Sequence, residues 1–285
     1  MPTPREIKRR ISSIRNTQKI TKAMEMVSSV KLRKARVQIL NTRPYAEKLS
    51  EIAVHLRNSF VHSQSPMLVS RPVKKTCLVV VSSDKGLCGG FNSNVVKKAL
   101  EFIRSNKDTE VCLTLIGKKV VETFKRKKYP VIDKYSDVFF KPNYPDASKI
   151  GEKILSDFLS GAVDEVNVVY NEFKSSVSQK TRLEKLLPVP DIETEKQAVR
   201  TDYIFEPEGK ECLNVLLSKY FIFEIWRVIL ESYAAEQGAR MAAMNGATKN
   251  AGELIEKFTL YYNKARQASI TKELLEVVSG AESLR

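Results

Sequence analysis

The one cluster whose residue types could do chemistry is Asp84-Lys-Gly-Leu-Cys-Gly-Gly-Phe-Asn92. It follows the apolar run Thr76–Val81 and precedes an amphipathic stretch that Asn92 or Ser93 could cap. A glycine-rich turn between a strand and a helix is where α/β folds gather backbone N–H groups around phosphate. The spacing here fits neither GxGxxG nor GxxxxGK[ST], so tight-turn geometry explains the glycines more simply. Cys88 is the one thiol in the cluster, and a reactive thiolate needs a base or a cation beside it. The only two histidines, His55 and His62, are distant in sequence. Cys77, Cys88, Cys112 and Cys212 form no CxxC pair, which argues against a disulfide framework and against a metal centre. The expectation is idle thiols in a reducing compartment, with no catalytic, cofactor-binding or metal-binding residue.

The elements that would position this turn read as a small α/β domain with a mainly parallel, Rossmann-like sheet. Thr76–Val81, Val111–Ile116 and Val166–Tyr170 are short apolar runs of the buried-strand kind. Ser176–Leu187 and Thr201–Phe205 read as more polar strands. Helices are expected after Asn92, over Lys118–Lys127 and over Asp146–Ser160, the last with Ile150, Ile154, Leu155, Phe158 and Leu159 on one face. His62–Pro72 reads as a linker and Pro188–Lys196 as a surface loop. The domain is expected to span 73–207.

On either side lie two long helical stretches, 1–60 and 208–285. The second contains no proline, and its apolar residues recur with gaps of four and three from Leu216 to Ala265, interrupted at Arg227, Gln237 and Thr248. The first carries Ile11, Ile14, Leu32, Ala35, Ile39, Ala46, Leu49, Ala53 and Leu56 in the same spacing, with Gln18, Thr21, Glu25 and Ser28 in the middle of the comb. Ile20, Met24 and Val27 lie on a neighbouring stripe, and Pro44 is positioned to kink the helix or start a second one. As helices the two stretches would be roughly 80 Å and roughly 110 Å long. Winding them into an antiparallel, left-handed coiled coil buries both combs. The longer one then projects past its partner with Ile270, Leu274, Leu275, Val277 and Val278 still uncovered, and these want an apolar sleeve from another molecule.

Charge narrows the partners. The chain carries a net +15, and residues 1–60 hold 14 Lys/Arg against 4 Asp/Glu, a net of +10. An acidic partner for that helix follows. Tyr45 and Phe60 are its only Phe, Tyr or Trp rings, too few for base stacking, so phosphate attraction is the most it offers nucleic acid; a basic coiled-coil nucleic-acid-binding protein is the alternative reading. No apolar run is long enough to span a membrane, and Met1–Arg10 lacks the apolar core of a signal peptide.

Three blocks carry a resemblance to a known family: IKRRISSIRNTQKITKAMEMV (Ile7–Val27), SDKGLCGGFN (Ser83–Asn92) and the stretch from ARMAAMNG to EVVSGA (Ala239–Ala281). In their order and in overall length the chain resembles the γ subunit of F-type ATP synthase, of bacterial type. Lys85 stands where the family commonly has Arg, and Gly246 where a bulkier polar residue is usual. The resemblance implies a non-catalytic rotor shaft inside a ring of α and β subunits, on a foot shared with the ε subunit and resting on the membrane c-ring. It implies polar or lever contacts with the catalytic subunits around Met24, Lys31, Arg33, Lys34, Arg240, Gln267 and Thr271. It implies that Tyr203, Phe205 and Glu208 belong to the foot, and that Leu274, Leu275, Val277 and Val278 turn in the bearing. The place implied is the cytoplasmic face of the plasma membrane, held peripherally.

Overall fold

The computed structural model describes residues 3–59, 65–175, 178–190 and 209–282. Strands β1 (Lys75–Val81) and β2 (Glu110–Ile116) are each buried along their last six residues, because both faces of the sheet are covered. That is why they read as continuous apolar runs rather than alternating ones. β3 (Val131–Tyr135), β4 (Glu165–Phe173) and β5 (Gln179–Leu187) complete a five-stranded sheet of order β3-β2-β1-β4-β5. The first four strands run parallel, as in doubly wound folds, and β5 pairs antiparallel with β4 at the edge.

The register places Leu78 and Val80 of β1 beside Leu113 and Leu115 of β2, and these four face α2 (Phe91–Ser105) and α3 (Lys118–Lys125). Val95, Ala99, Val120 and Phe124 close that side of the core. α4 (Tyr144–Leu159) starts properly capped: the Asn143 side chain accepts from the Asp146 N–H at 2.9 Å. Its Gly151 permits close approach of another helix, since a Cβ there would stand 3.2 Å from the Ile222 Cα. Gly117, at φ 101°, is required on steric grounds: a Cβ would fall 2.2 Å from the Ser82 carbonyl oxygen.

Several expectations need correction. α2 begins at Phe91 on Gly90 without any side-chain cap, and Asn92 Oδ1 instead accepts from the Ser83 N–H and Oγ–H, at 3.1 and 2.9 Å. β3 has no counterpart in the sequence reading, because its five residues alternate half-buried and exposed as an edge strand does. Leu159 is 49% exposed rather than on the apolar face of α4. The described part of the expected linker is built into the fold: Met67 is buried, its carbonyl accepts from the Val189 N–H at 2.8 Å, and Ser65 donates to Asn214 Oδ1 at 2.8 Å. The expected strand Thr201–Phe205 lies outside the described residues, as does most of the loop expected at Pro188–Lys196.

The two long helices are α1 (Pro4–Ser59), which runs through Pro44 unbroken, and α5 (Gly209–Glu282). The chain divides into two compact units, Ser29–Arg240 and Met1–Ser28 with Met241–Arg285. In the larger unit, Leu32, Ala35, Leu49 and Ala53 of the α1 comb are buried, and the Tyr45 ring lies 5.0 Å from that of Phe223. There α5 is more than a coil partner. Leu213, Leu217, Phe221, Ile225 and Ile229 are also buried, so it is apolar on more than one face and forms part of the α/β core.

In the smaller unit the helices pair antiparallel through a narrow seam. Thr21 and Thr248 share a hydroxyl hydrogen bond of 2.8 Å, Gln18 donates to the Thr248 carbonyl at 3.4 Å, and Asn245 donates to Glu25 at 3.2 Å. The polar positions that interrupt the two combs therefore face one another. Ile20, Met26 and Val27, off the seam, are more than half exposed.

Candidate functional site

Within the larger unit, the glycine turn closes on α5. Arg240 Nη2 donates to the carbonyls of Gly86 (3.1 Å) and Lys85 (3.4 Å), and to Glu236 Oε1 at 2.6 Å. Gln237 donates to the other Glu236 oxygen at 2.9 Å. Cys88 and Phe91 pack against Ala235 and Ala239 in a small apolar cluster beside these bonds. A phosphate cradle aims N–H groups at an anion. Here the turn aims carbonyl oxygens at a guanidinium, so the chemistry is that of a cation receptor already filled by the chain's own arginine.

The rest of the turn is similarly committed. The Asp84 carboxylate accepts from the N–H groups of Lys118 (2.9 Å), Asp137 (3.0 Å) and Phe139 (2.9 Å), pinning three segments together. Burial raises the Cys88 thiol above its ordinary pKa, opposite to what a nucleophile needs. Cys77 and Cys112 lie directly across from each other on β1 and β2, but the Cys77 thiol bonds the Thr114 hydroxyl at 3.4 Å and the Cys112 thiol donates to the Thr76 carbonyl at 3.3 Å; their proximity pushes the first thiol up and the second down. Among the described residues no group of His, Cys, Asp and Glu could hold a metal ion. Leu87 adopts φ 63° and is 63% exposed, and Lys85 stands 6.0 Å over the Phe140 ring.

Sequence reasoning missed Glu236 and the partners of Arg227. Arg227 bonds Glu224 (2.7 Å), Glu184 (2.9 Å), Glu231 (3.2 Å) and the Tyr170 hydroxyl (3.1 Å). Burial raises the pKa of Glu231 and of Glu236, and the neighbouring arginine offsets only part of that. The available signal was the charge itself: an arginine or glutamine within an apolar comb must be matched by a partner.

The remaining site residues are dispersed over surfaces. In the larger unit Lys31 is half-buried, while Arg33 and Lys34 are exposed, and no carboxylate among the described residues pairs with any of the three. In the smaller unit Met24 is half-buried near the seam, and Gln267 and Thr271 are exposed one turn apart, the Thr271 hydroxyl donating to the Gln267 carbonyl at 2.9 Å. Residues 271–281 are exposed without exception, Leu274, Leu275, Val277 and Val278 by 61%, 62%, 70% and 61%. The reason is the register: with Thr21 opposite Thr248 and Glu25 opposite Asn245, the start of α1 at Pro4 lies opposite about residue 266, and α5 continues beyond it. Tyr203, Phe205 and Glu208 lie outside the described residues. No helix among the described residues is long and apolar enough to cross a membrane.

A family model described as ATP synthase matches residues 3–284. An ATP synthase gamma chain from Geobacter metallireducens is 44% identical over 287 aligned positions covering 100% of both chains. One from Desulfitobacterium hafniense is 42% identical, again over 100% of both. Among solved structures, a chain of the central stalk and c-ring of the Tetrahymena thermophila mitochondrial ATP synthase is 28% identical, with a TM-score of 0.64 over 80% of this chain and 99% of that one. A chain of the Euglena gracilis mitochondrial enzyme shares the fold at 16% identity, with a TM-score of 0.70 over 99% and 94%. None of these similarities points to nucleic-acid binding.

Proposed function

Because the chain belongs to the ATP synthase gamma-chain family, the central stalk of the F1 sector with catalysis on the β subunits, we propose that its solvent-facing helix surfaces are the parts that transmit rotation. The observation that carries the reading is the bare end of α5. Four large aliphatic side chains stand in water over one and a half turns, and burying each would contribute on the order of 1.5–3 kcal/mol. Leu274, Leu275, Val277 and Val278 turn in an apolar bearing supplied by the ring of α and β subunits. Gln267 and Thr271, just below, meet polar loops of those subunits. Met24 and the cationic run Lys31, Arg33 and Lys34 face acidic levers of the β subunits, attracted by charge the chain does not neutralise itself. Arg240, anchored by Glu236, stiffens the turn that meets the catalytic subunits beside it.

The division of labour follows the same lines. Residues 1–60 and 208–285 supply the helices of the coiled coil, and 73–207 the foot, whose core also takes in the first part of α5 through Leu213, Leu217, Phe221, Ile225 and Ile229. Tyr203, Phe205 and Glu208 belong to the face that rests on the c-ring beside the ε subunit. The complex then lies peripherally at the cytoplasmic face of the plasma membrane.

Rotation of the foot presents a different side of an asymmetric coil to each β subunit in turn. A partner shifts a conformational equilibrium only through unequal contacts with its states, and an asymmetric shaft meets that condition. Ion flow through the c-ring thereby becomes a sequence of affinity changes for nucleotide. The test is reconstitution from purified α and β subunits. ATP hydrolysis is expected to rise severalfold only when this chain is added, and equal activity without it would overturn the reading.

A further inference from the structure

Within the larger unit, α2 and α3 leave a groove of about 950 Å³ between them, beginning at Asn92 and Ser93 beside the glycine turn and running along α2. Its walls carry Lys97 and Arg104 from α2, and Lys119, Arg126 and Lys127 from α3 and the residues after it. The only acidic residues lining it are Glu101 and Glu122, and both are already engaged, with Lys98 at 3.6 Å and Lys119 at 2.8 Å. Lys97, Arg104, Arg126 and Lys127 are exposed and pair with no carboxylate among the described residues. Cations near the ends of α2 and α3 partly answer the negative helix C-termini. Lys97 stands mid-helix, where that effect has faded, so the surplus is a property of the groove.

The floor is apolar. Val96 and Leu100, one turn apart on α2, line the groove half-buried. From Ser93 to Arg104 the α2 wall runs about 16 Å, three helical turns. A trough of that length with an aliphatic floor and uncompensated cations on both walls matches an amphipathic helix: leucine-type residues downward, carboxylates toward the walls. A polyphosphate chain or a lipid headgroup would use the cations and leave the floor unmatched. We propose that the α2–α3 groove is a docking surface for an acidic amphipathic helix of a partner protein. A partner seated there either turns with this chain or arrests it.

The test uses the full-length chain and a fluorescent 16-residue peptide of Leu, Ala and Glu, with leucines at helical spacing. A peptide of the same composition in scrambled order, inorganic polyphosphate and phosphatidylglycerol vesicles are the competitors. The patterned peptide should bind, and the scrambled one should bind about tenfold more weakly. Lys97→Glu with Arg126→Glu should weaken binding at least about tenfold while leaving the melting temperature unchanged. If that variant does not fold, Lys97→Gln with Arg126→Gln decides, with a smaller loss expected. Absence of binding, equal binding of the scrambled peptide, or full displacement by polyphosphate or vesicles would overturn the proposal.

Discussion

One helix lives under two regimes. From Phe221 to Arg240, α5 is buried at nearly every position, including Ser232, Glu236 and Gln237, whereas beyond Met241 only Met244 and Ala251 among the described residues are buried. The first half is held by an apolar core on several sides, and its buried polar residues Ser232, Glu236, Gln237 and Arg240 each have a partner. The second half is held by a seam one side chain wide whose middle layer is hydroxyl and amide groups. The difference teaches that helix continuity says nothing about what stabilises each part. The buried half fixes the helix in its own domain, and the bare half keeps its surface for other molecules.

Substitutions should separate the two regimes. The largest effect is expected from Ile229→Asp, at 1% exposure, where an unpaired carboxylate in the core should cost more than about 4 kcal/mol in chemical denaturation. Arg240→Ala comes next. It leaves Glu236, 3% exposed, without its guanidinium and strips the Lys85 and Gly86 carbonyls, so a loss of about 3 kcal/mol is expected. Ile255→Asp, half-buried on the thin seam, should cost about 1–2 kcal/mol and weaken pairing of the helices. A melting curve as depressed as that of the Ile229 variant would erase the distinction. Thr21→Val with Thr248→Val removes both hydroxyls of the facing pair and should change stability by less than about 1 kcal/mol.

Proton linkage separates them more finely. Bonds from Asn245 and then from Lys22 hold Glu25 below its ordinary 4.5, so its contribution is present above that value and lost as pH falls through the lowered one. Burial raises Glu236 above 4.5 despite Arg240, so the folded chain takes up that proton first. Its contribution therefore rises as pH falls from the raised value toward 4.5. Glu236→Gln should flatten the melting temperature against pH above 4.5, and Glu25→Gln should flatten it below.

Most of the architecture was legible because it rests on periodicity. The runs of β1 and β2, the combs of α1 and α5 and the strand-turn-helix around Gly86 all state their own environment. What was not legible rests on pairing across the fold. The interruptions at Arg227, Gln237 and Thr248 are visible in the sequence, but their answers, Glu184, Glu236 and Thr21, lie at distances no pattern measures. Asn92 illustrates the same point locally, since a residue suited to capping was recruited by Ser83 instead. β3 escaped because a short edge strand carries neither a continuous apolar run nor a turn signal.

The central claim is that exposed, unneutralised surfaces couple rotation, while buried junctions such as Arg240 with Glu236 act only by holding those surfaces in place. The direct measurement is ion pumping per ATP hydrolysed, in membrane vesicles carrying the assembled complex with Lys31, Arg33 and Lys34 all changed to Glu. Because none of the three has a carboxylate partner within the described chain, folding and assembly should be retained, and pumping per ATP should fall severalfold. Normal pumping at normal hydrolysis would contradict the claim.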